Sequence, residues 1–191
     1  LSLKAAFALF EKAILTLEKA GTGYYAQKAS VYTDAGWVNN IRGRYAEAEK
    51  FYRKALAINE TLRGKVSTEY VYTIAGYASL LQQSGRFDDA DKLFQEAVKL
   101  TKELDDDHLN LSVWSDFALL REAQGRFEDA IKIHKGILAK LRFAFGIDTR
   151  SVEGHINAAL GRINLELGRL DIAKRYFIKA FELLDQLSSK N

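Results

Sequence analysis

Apolar residues recur along this chain at the spacing of helices that bury one side. The clearest stretches are Phe51, Tyr52, Ala55, Leu56 and Ile58, and Leu93, Phe94, Ala97, Val98 and Leu100. Residues three and four positions apart lie on one side of an α-helix, so each stretch predicts an amphipathic helix. Two further amphipathic segments, 70–81 and 113–120, are followed by glycines. No segment keeps the alternation of a strand, and the pattern therefore predicts an all-α fold.

A short motif recurs four times between the predicted helices. It consists of glycine, arginine, a large apolar residue and, three positions later, alanine, and it occupies residues 43–48, 85–90, 125–130 and 168–173. The glycines lie 42, 40 and 43 positions apart. Glycine adopts the left-handed conformation that ends a helix, and the small alanine lets two helices approach closely. Four copies at near-constant spacing predict a repeat protein built of antiparallel helical hairpins.

The motif also divides the chain into units. We predict a single solenoid domain over residues 1–191, with about nine helices. The units are the second helix of a partial repeat at 1–20 and four complete repeats at 24–64, 67–104, 108–145 and 148–187. Because one hairpin cannot bury its apolar side alone, neighbouring hairpins are expected to stack around a continuous core.

Composition and charge narrow the classes of function. The 28 basic and 25 acidic residues are interspersed and leave a net charge of +3, so we expect no nucleic-acid partner. No apolar run reaches the ~18 residues that cross a bilayer, and the N-terminus lacks the order of a signal peptide. We therefore expect a cytoplasmic protein without membrane insertion. The chain contains no cysteine and does not begin with methionine, which predicts a fragment or processed product without disulfides.

The repeat resembles the tetratricopeptide repeat. The characteristic positions hold Gly36, Gly43, Tyr45, Ala48, Tyr52 and Ala55 in the first complete unit, Ala78, Gly85, Phe87, Ala90, Phe94 and Ala97 in the second, and Gly161, Gly168, Leu170, Ala173, Phe177 and Ala180 in the fourth. The third unit departs at His134 and Ile137. The period near 42 residues is similar to the long-helix variant found in kinesin light chains. This resemblance implies a right-handed superhelical solenoid whose first helices line a concave groove for a peptide or protein.

The resemblance also assigns candidate binding residues to that groove. They are Asp34, Trp37, Asn40, Tyr72, Ser79, Gln83, Asp116, Leu119, Glu122 and Arg162. Trp37 and Tyr72 are large aromatics of the kind that anchor interfaces, although packing of Trp37 against the next unit is an equal alternative. The carboxylates of Asp34, Asp116 and Glu122 favour a basic or amide-rich ligand. An ordinary solvated acidic surface is the alternative interpretation of these acids.

No arrangement in the sequence indicates catalysis, so we predict neither an enzyme nor a cofactor or metal site. His108, His134 and His155 lie in different units and lack the spacing of metal ligands. His134 replaces the packing aromatic of its unit, which predicts a core histidine whose hydrogen-bonding groups are satisfied. The acidic run 105–107 lacks the spaced ligands of a calcium loop and is expected to cap a helix.

The sequence leaves three functions open. The leading hypothesis is a scaffold or adaptor that holds an extended or helical segment of a partner protein. The second is a regulatory or sensor module of a larger multidomain protein, such as a signalling protein or a transcription regulator. The third is self-assembly as a homo-oligomer through the end faces of the stack, for which Tyr24, Tyr25 and Tyr32 form one candidate surface.

Overall fold

A computed structural model describes residues 3–19, 22–142 and 148–188 of the chain. These residues form nine α-helices and one short 3-10 helix, and they contain no strand, which confirms the predicted all-α fold. In chain order the α-helices are α1 (Leu3–Lys19), α2 (Tyr25–Ile41), α3 (Tyr45–Arg63), α4 (Thr68–Gln83), α5 (Phe87–Leu104), α6 (Asp107–Ala123), α7 (Phe127–Leu141), α8 (Arg150–Glu166) and α9 (Leu170–Ser188), and the 3-10 helix is Thr22–Tyr24. The repeat boundary predicted between 145 and 148 falls largely outside the described residues.

A glycine ends the first helix of each complete hairpin. The backbone angle φ is +70° at Gly43, +79° at Gly85, and +70° at both Gly125 and Gly168. The arginine that follows donates its backbone N–H to the carbonyl five positions earlier, as from Arg44 to Asn39 at 2.9 Å. This bond and the left-handed glycine close the helix in the Schellman pattern, because together they satisfy carbonyls that have no partner within the helix. The glycine turns predicted from the sequence are confirmed.

The arginine of the turn has a second role that the sequence analysis missed. At Arg44, Arg86 and Arg169 the side chain reaches an acidic residue on the second helix of the preceding hairpin, whereas Arg126 pairs with Asp129 of its own hairpin. Arg86 Nη1 lies 3.0 Å from Glu49 Oε2, and Arg169 Nη2 lies 2.5 Å from Glu128 Oε1. These pairs are partly exposed, so each adds only about 0–1 kcal/mol to stability. At these three turns the pairs nevertheless link neighbouring hairpins.

Residues 1–113 form the first of two compact units, with α1 to α5 and the first residues of α6. In it α2 packs on α3, α4 packs on α5, and α3 also contacts α4. The residues buried at these contacts include the repeat alanines Ala48, Ala55, Ala90 and Ala97. Tyr52 of α3 places its ring against Gly36 of α2 and Gly76 of α4. The core of this unit therefore runs from one hairpin into the next.

The tyrosine cluster predicted near the start of the chain is divided by the fold. Tyr24 and Tyr25 are 52% and 44% exposed, whereas Tyr32 is 8% exposed. The hydroxyl of Tyr32 donates to Glu18 Oε1 at 3.2 Å, and Lys54 Nζ bonds the same oxygen at 2.8 Å. Tyr32 thus connects α1, α2 and α3 and belongs to the core rather than to an exposed end surface.

Residues 114–191 form the second compact unit, which contains the rest of α6 together with α7, α8 and α9. Helices α8 and α9 pack closely because glycines face large side chains. A Cβ on Gly161 would lie 2.7 Å from Phe177 Cδ1, and one on Gly154 would lie 2.7 Å from Leu184 Cγ. These glycines of α8 therefore make room for the apolar side of α9.

Candidate peptide-binding site

The large apolar residues predicted for the binding surface are exposed. Trp37 of α2 is 59% exposed and Tyr72 of α4 is 61% exposed in the first unit, and Leu119 of α6 is 47% exposed in the second. A side chain packed against a neighbouring hairpin would be closed off from solvent. The alternative that Trp37 is a core residue is therefore wrong, and its indole is available for contact.

Asn40 differs from the other predicted residues of α2 and α4 because it is buried. Its exposed fraction is 4%, and it lies at the end of α2, where its carbonyl accepts the backbone N–H of Gly43 at 2.9 Å. A side chain closed off in this way cannot contact a ligand in the groove, so its assignment as a binding residue is wrong. Further along the surface, Ser79 is half-buried and Gln83 is exposed on α4.

A pocket of about 430 Å³ opens between α2, α3 and α4. It is lined by Ala26, Ser30, Thr33, Asp34, Asn59, Arg63, Thr68, Glu69, Tyr72 and Thr73. Of the predicted residues the pocket brings together Asp34 and Tyr72, and the other eight do not line it. Helix α3 contributes Asn59 and Arg63, which the sequence analysis missed because it assigned the groove to first helices alone.

The floor of the pocket is a buried network of polar side chains. Thr33 Oγ1 lies 3.0 Å from Thr73 Oγ1, and Asn59 Nδ2 donates to the same oxygen of Thr73 at 3.1 Å. Asn59 also donates to the carbonyl of Glu69 at 3.2 Å. Because these bonds join α2, α3 and α4, they hold the walls of the pocket at a fixed separation. The sequence signal that could have indicated this network is the occurrence of polar residues within otherwise apolar helical stretches.

The charges around the pocket are unequally paired. Arg63 Nε lies 3.3 Å from Glu69 Oε1. Asp34, in contrast, has no hydrogen bond or ion pair with any residue that the structure describes, and burial raises the pKa of its carboxyl. Burial is the main cause that raises the pKa of Tyr52, and the nearby Tyr72 and Asp34 raise this pKa further. Asp34 is therefore a carboxylate that has lost part of its water without gaining a partner from those residues.

In the second unit the predicted residues Glu122 and Arg162 are paired with each other. Arg162 Nη2 lies 2.6 Å from Glu122 Oε2, and His134 Nε2 lies 3.2 Å from Glu122 Oε1. Burial is the largest single influence on the pKa of Glu122, and burial alone would raise this pKa. The interactions with His134 and Arg162 together outweigh burial, so the pKa of Glu122 is lowered from its ordinary value. His134 is 4% exposed, which confirms the predicted core position. Its Nε2 is hydrogen-bonded to Glu122, but its Nδ1 is buried without a hydrogen-bond partner among the described residues, so the histidine is not fully satisfied.

Asp116 of the second unit is in a situation similar to that of Asp34. It is half-buried, and burial raises the pKa of its carboxyl to about 6. No hydrogen bond or ion pair joins it to another residue within the described part of the chain. Carboxylates whose pKa is shifted by burial are frequent at functional sites. Each unit thus presents an acid at the same position of the repeat whose pKa is raised by burial, but Asp34 is exposed whereas Asp116 is half-buried.

Neither a cluster of metal-binding side chains nor a membrane-spanning helix is present in residues 3–19, 22–142 and 148–188. No group of three or more histidine, aspartate or glutamate side chains in these ranges is placed to hold a metal ion. None of the helices formed by the same residues is long and apolar enough to cross a membrane.

The repeat pattern and the hairpin packing correspond to a known family. The family model described as "Tetratricopeptide repeat" matches residues 2–61 and 70–146, and a second model of the same description matches 154–183. The chain belongs to the tetratricopeptide repeat family.

Individual relatives share parts of the chain. Human "Tetratricopeptide repeat protein 19, mitochondrial" is 29% identical over 125 residues, which are 61% of this chain and 33% of that protein. The chain thus matches about a third of the length of this relative. A structure of a putative kinesin light chain with nearly identical TPR-like repeats from Podospora anserina superposes with a TM-score of 0.76 at 13% identity, over 96% of this chain and 88% of that one. This likeness confirms the long-period repeat type.

A second solved structure has the same fold. It is the Rap conjugation gene regulator of plasmid pLS20 in complex with the Phr* peptide, which matches with a TM-score of 0.76 at 17% identity, over 96% of this chain and 49% of that one. At such identities the likeness establishes the fold. Family and fold together support a protein-interaction scaffold.

Proposed function

We propose that this chain is a scaffold that binds a peptide segment of a partner protein over α2 and α4, with a basic or amide side chain of the ligand directed at Asp34. The observation that carries the proposal is the pocket that Asp34 and Tyr72 share. Its size suits one long side chain, since ligand pockets of about 300 Å³ and more hold small molecules.

The chemistry of the pocket favours a donor over an acceptor in the ligand. Asp34 carries a carboxylate with no ion pair among the described residues, whereas the cation Arg63 is already paired with Glu69. An ammonium, guanidinium or amide group would donate to Asp34 and replace the water that this carboxylate has lost. The exposed ring of Tyr72 beside it can pack on the aliphatic part of a lysine or arginine side chain.

The exposed indole of Trp37 extends this surface along α2. It lies three residues after Asp34, so both side chains project from nearly the same side of the helix. Large aromatics that are exposed before binding are effective anchors, because they bury much apolar area at low conformational cost. The peptide-bound regulator of plasmid pLS20 supports the proposal, since it places a peptide on the same fold.

The test begins with a peptide-display selection against the whole chain, followed by measurement of dissociation constants for the selected peptides by calorimetry. We expect lysine, arginine, asparagine or glutamine at a fixed position of the selected sequences. We also expect Asp34→Asn and Tyr72→Ala each to weaken binding at least about tenfold, which is about 1.4 kcal/mol.

Matched control variants separate the pocket from general effects on the surface. Tyr25→Ala removes an exposed tyrosine of α2, and Asp88→Asn neutralises an exposed acid of α5, and neither residue lines the pocket. Both controls are expected to keep the affinity of the unchanged chain. Equal losses in pocket and control variants, or selected peptides rich in acidic residues, would contradict the proposal.

The regulatory-module hypothesis concerns what such binding would control in a larger protein. It makes the same claim about the pocket and differs only in the domains that the pocket would serve. That hypothesis and the cytoplasmic location both stay predictions from the sequence.

A further inference from the structure

The floor of the peptide pocket contains a hydrogen-bond acceptor that none of the described residues uses. Asn59 of α3 lines the pocket and is 4% exposed. Its Nδ2 donates to the carbonyl of Glu69 at 3.2 Å and to Thr73 Oγ1 at 3.1 Å. Because a carbonyl can only accept, the nitrogen of the amide must lie on that side and Oδ1 on the other. Asn59 Oδ1 makes no hydrogen bond within the described part of the chain, and it is not closed off from solvent.

The two threonine hydroxyls beside Asn59 have no hydrogen left for a ligand. Thr73 Oγ1 lies 2.7 Å from the carbonyl of Glu69, and Thr33 Oγ1 lies 3.1 Å from the carbonyl of Ala29. The two hydroxyl oxygens are also 3.0 Å from each other. Each hydroxyl carries a single hydrogen, and every oxygen that these hydrogens can reach here belongs to the network itself. The floor therefore offers a ligand acceptors and no donor.

The charged residues that line the pocket leave one negative charge without a counterion. They are Asp34, Arg63 and Glu69. Arg63 and Glu69 form a pair at 3.3 Å, and each therefore neutralises the other. Asp34 has neither an ion pair nor a hydrogen bond with residues 3–19, 22–142 and 148–188. A ligand group with a single positive charge would complete the balance.

The two free acceptors, Asp34 and Asn59 Oδ1, are neighbours on different helices. Thr33 directly precedes Asp34 on α2, and two successive hydrogen bonds through Thr73 connect Thr33 with Asn59 of α3. A ligand group that satisfies both acceptors needs several N–H donors that point in different directions. A guanidinium has five such donors in one plane and no acceptor, whereas an amide has two donors and an oxygen that would face these acceptors. An ammonium is a compact and more strongly hydrated charge.

We propose that this pocket selects an arginine side chain of the ligand, whose guanidinium donates to the carboxylate of Asp34 and to Oδ1 of Asn59. The ring of Tyr72, which is 61% exposed, can stack on the guanidinium plane, as arginine does more readily than lysine. The inference rests on the proposed function, because it names the ligand group for the same pocket. Asp34 attracts any cation, and Asn59 distinguishes the planar cation from the others.

The experiment is an NMR titration of the whole chain with single capped amino acids, namely N-acetyl-arginine methylamide and the corresponding compounds of lysine, citrulline and glutamine. Citrulline has nearly the shape of arginine, but an oxygen replaces one nitrogen and the positive charge is absent. We expect capped arginine to shift the side-chain amide signals of Asn59 and the backbone amide signal of Asp34. Its dissociation constant is expected to be at least about fivefold below those of the other three compounds, since these lose one or more hydrogen bonds.

Asn59→Ala tests the role of the amide oxygen. Because Asn59 also holds the walls of the pocket, its loss can weaken the binding of every compound, and the readout is therefore the ratio of the lysine and arginine dissociation constants. We expect this ratio to fall to about one, because the acceptor that favours the guanidinium is gone. Asn164→Ala is the matched control, since Asn164 of α8 is also buried and bonded to a carbonyl but lies outside the pocket. Circular dichroism of both variants shows whether the fold is kept, and the compound series on the unchanged chain needs no variant.

The inference and the proposed function can fail separately. The inference is overturned if another capped amino acid binds as tightly as capped arginine, if no compound shifts the signals of Asn59, or if folded Asn59→Ala keeps the preference for arginine. Selected peptides with lysine at the fixed position and no preference for capped arginine would support the proposed function and overturn the inference. Binding of capped arginine by a chain that selects no peptide would do the reverse.

Discussion

The ring of Tyr52 lies so close to Gly76 that a Cβ on this glycine would approach ring carbon Cε1 to 3.0 Å. Glycine inside a helix costs roughly 0.5–1 kcal/mol relative to alanine. Gly76 nevertheless stands in the middle of α4, because the following hairpin can approach the fully buried Tyr52 only at a residue without a side chain. The stacking of one hairpin on the next thus depends on this pair.

We predict that Gly36→Ala and Gly76→Ala each destabilise the protein by about 1–3 kcal/mol, because overpacking of a buried ring forces the helices apart. At Gly36 the new Cβ would meet three ring carbons of Tyr52 at 2.9 Å. The measurement is the free energy of unfolding in urea.

The matched control for these substitutions is Gly136→Ala in α7. Gly136 is exposed, and a Cβ there would meet nothing within 4 Å. We expect this variant to stabilise the helix by roughly 0.5–1 kcal/mol. The packing explanation fails if all three substitutions change stability in the same direction.

Glu49 joins two hairpins and is expected to make stability depend on pH. It accepts hydrogen bonds from the Tyr77 hydroxyl at 2.5 Å, from Arg53 at 2.6 Å and from Arg86 at 3.0 Å. The bond from Tyr77 is the largest cause that lowers the pKa of Glu49 from its ordinary value of 4.5. Glu49→Gln should therefore cost about 1–3 kcal/mol at neutral pH.

The pH dependence of this cost has a definite sign. A carboxyl whose pKa is lowered by folding stabilises the native state above its unfolded pKa, and this stabilisation is lost as pH falls through the folded pKa. The difference between the original protein and Glu49→Gln should thus shrink below pH 4.5. Glu166→Gln, at an exposed acid without an ion pair in the described part of the chain, should change stability by less than about 0.5 kcal/mol at every pH. A cost for Glu49→Gln that does not change with pH would contradict the role of its charge.

Asp116 should give the opposite pH dependence. Burial raises the pKa of its carboxyl from the ordinary 3.8 to about 6, so the native state binds the proton more tightly than the unfolded chain. The stability of the native state then falls as pH rises from 3.8 through 6, because the ionised side chain lacks water. We predict that Asp116→Asn stabilises the protein at pH 7 by on the order of 1–2 kcal/mol and has little effect near pH 4.

Two measurements check this prediction for Asp116. Urea unfolding at several pH values gives the difference in stability, and a carbon NMR titration of the carboxyl gives its pKa directly. A titration midpoint near the ordinary 3.8 would show that the carboxyl is fully solvated and would contradict the prediction.

Several features of the fold were predictable because they depend on neighbours along the chain. The turn at Gly43 follows from a glycine that adopts a positive φ, and the position of Ala48 follows from the helical spacing after it. The burial of His134 could also be expected, since it stands where other units carry an aromatic. In each case residues within one or two helical turns decide the outcome.

The candidate site was only partly predictable. Trp37 and Asn40 lie three positions apart on α2, and the family pattern assigns both to the groove. The structure exposes the first and buries the second, because the placement of packed neighbours, not the helical angle alone, sets exposure. Asn59 and Arg63 of α3 complete the pocket although the pattern did not include them.

The sequence by itself determined the helices, their glycine turns and the repeat, because these follow from backbone conformation and from hydrogen bonds between nearby residues. Only the tertiary structure decided which polar groups lose their water and which apolar residues stay uncovered. Asp116 loses part of its water and Trp37 stays uncovered for the same reason, which is that solvation depends on helices distant in sequence. Local patterns contain no information on where those helices come to lie.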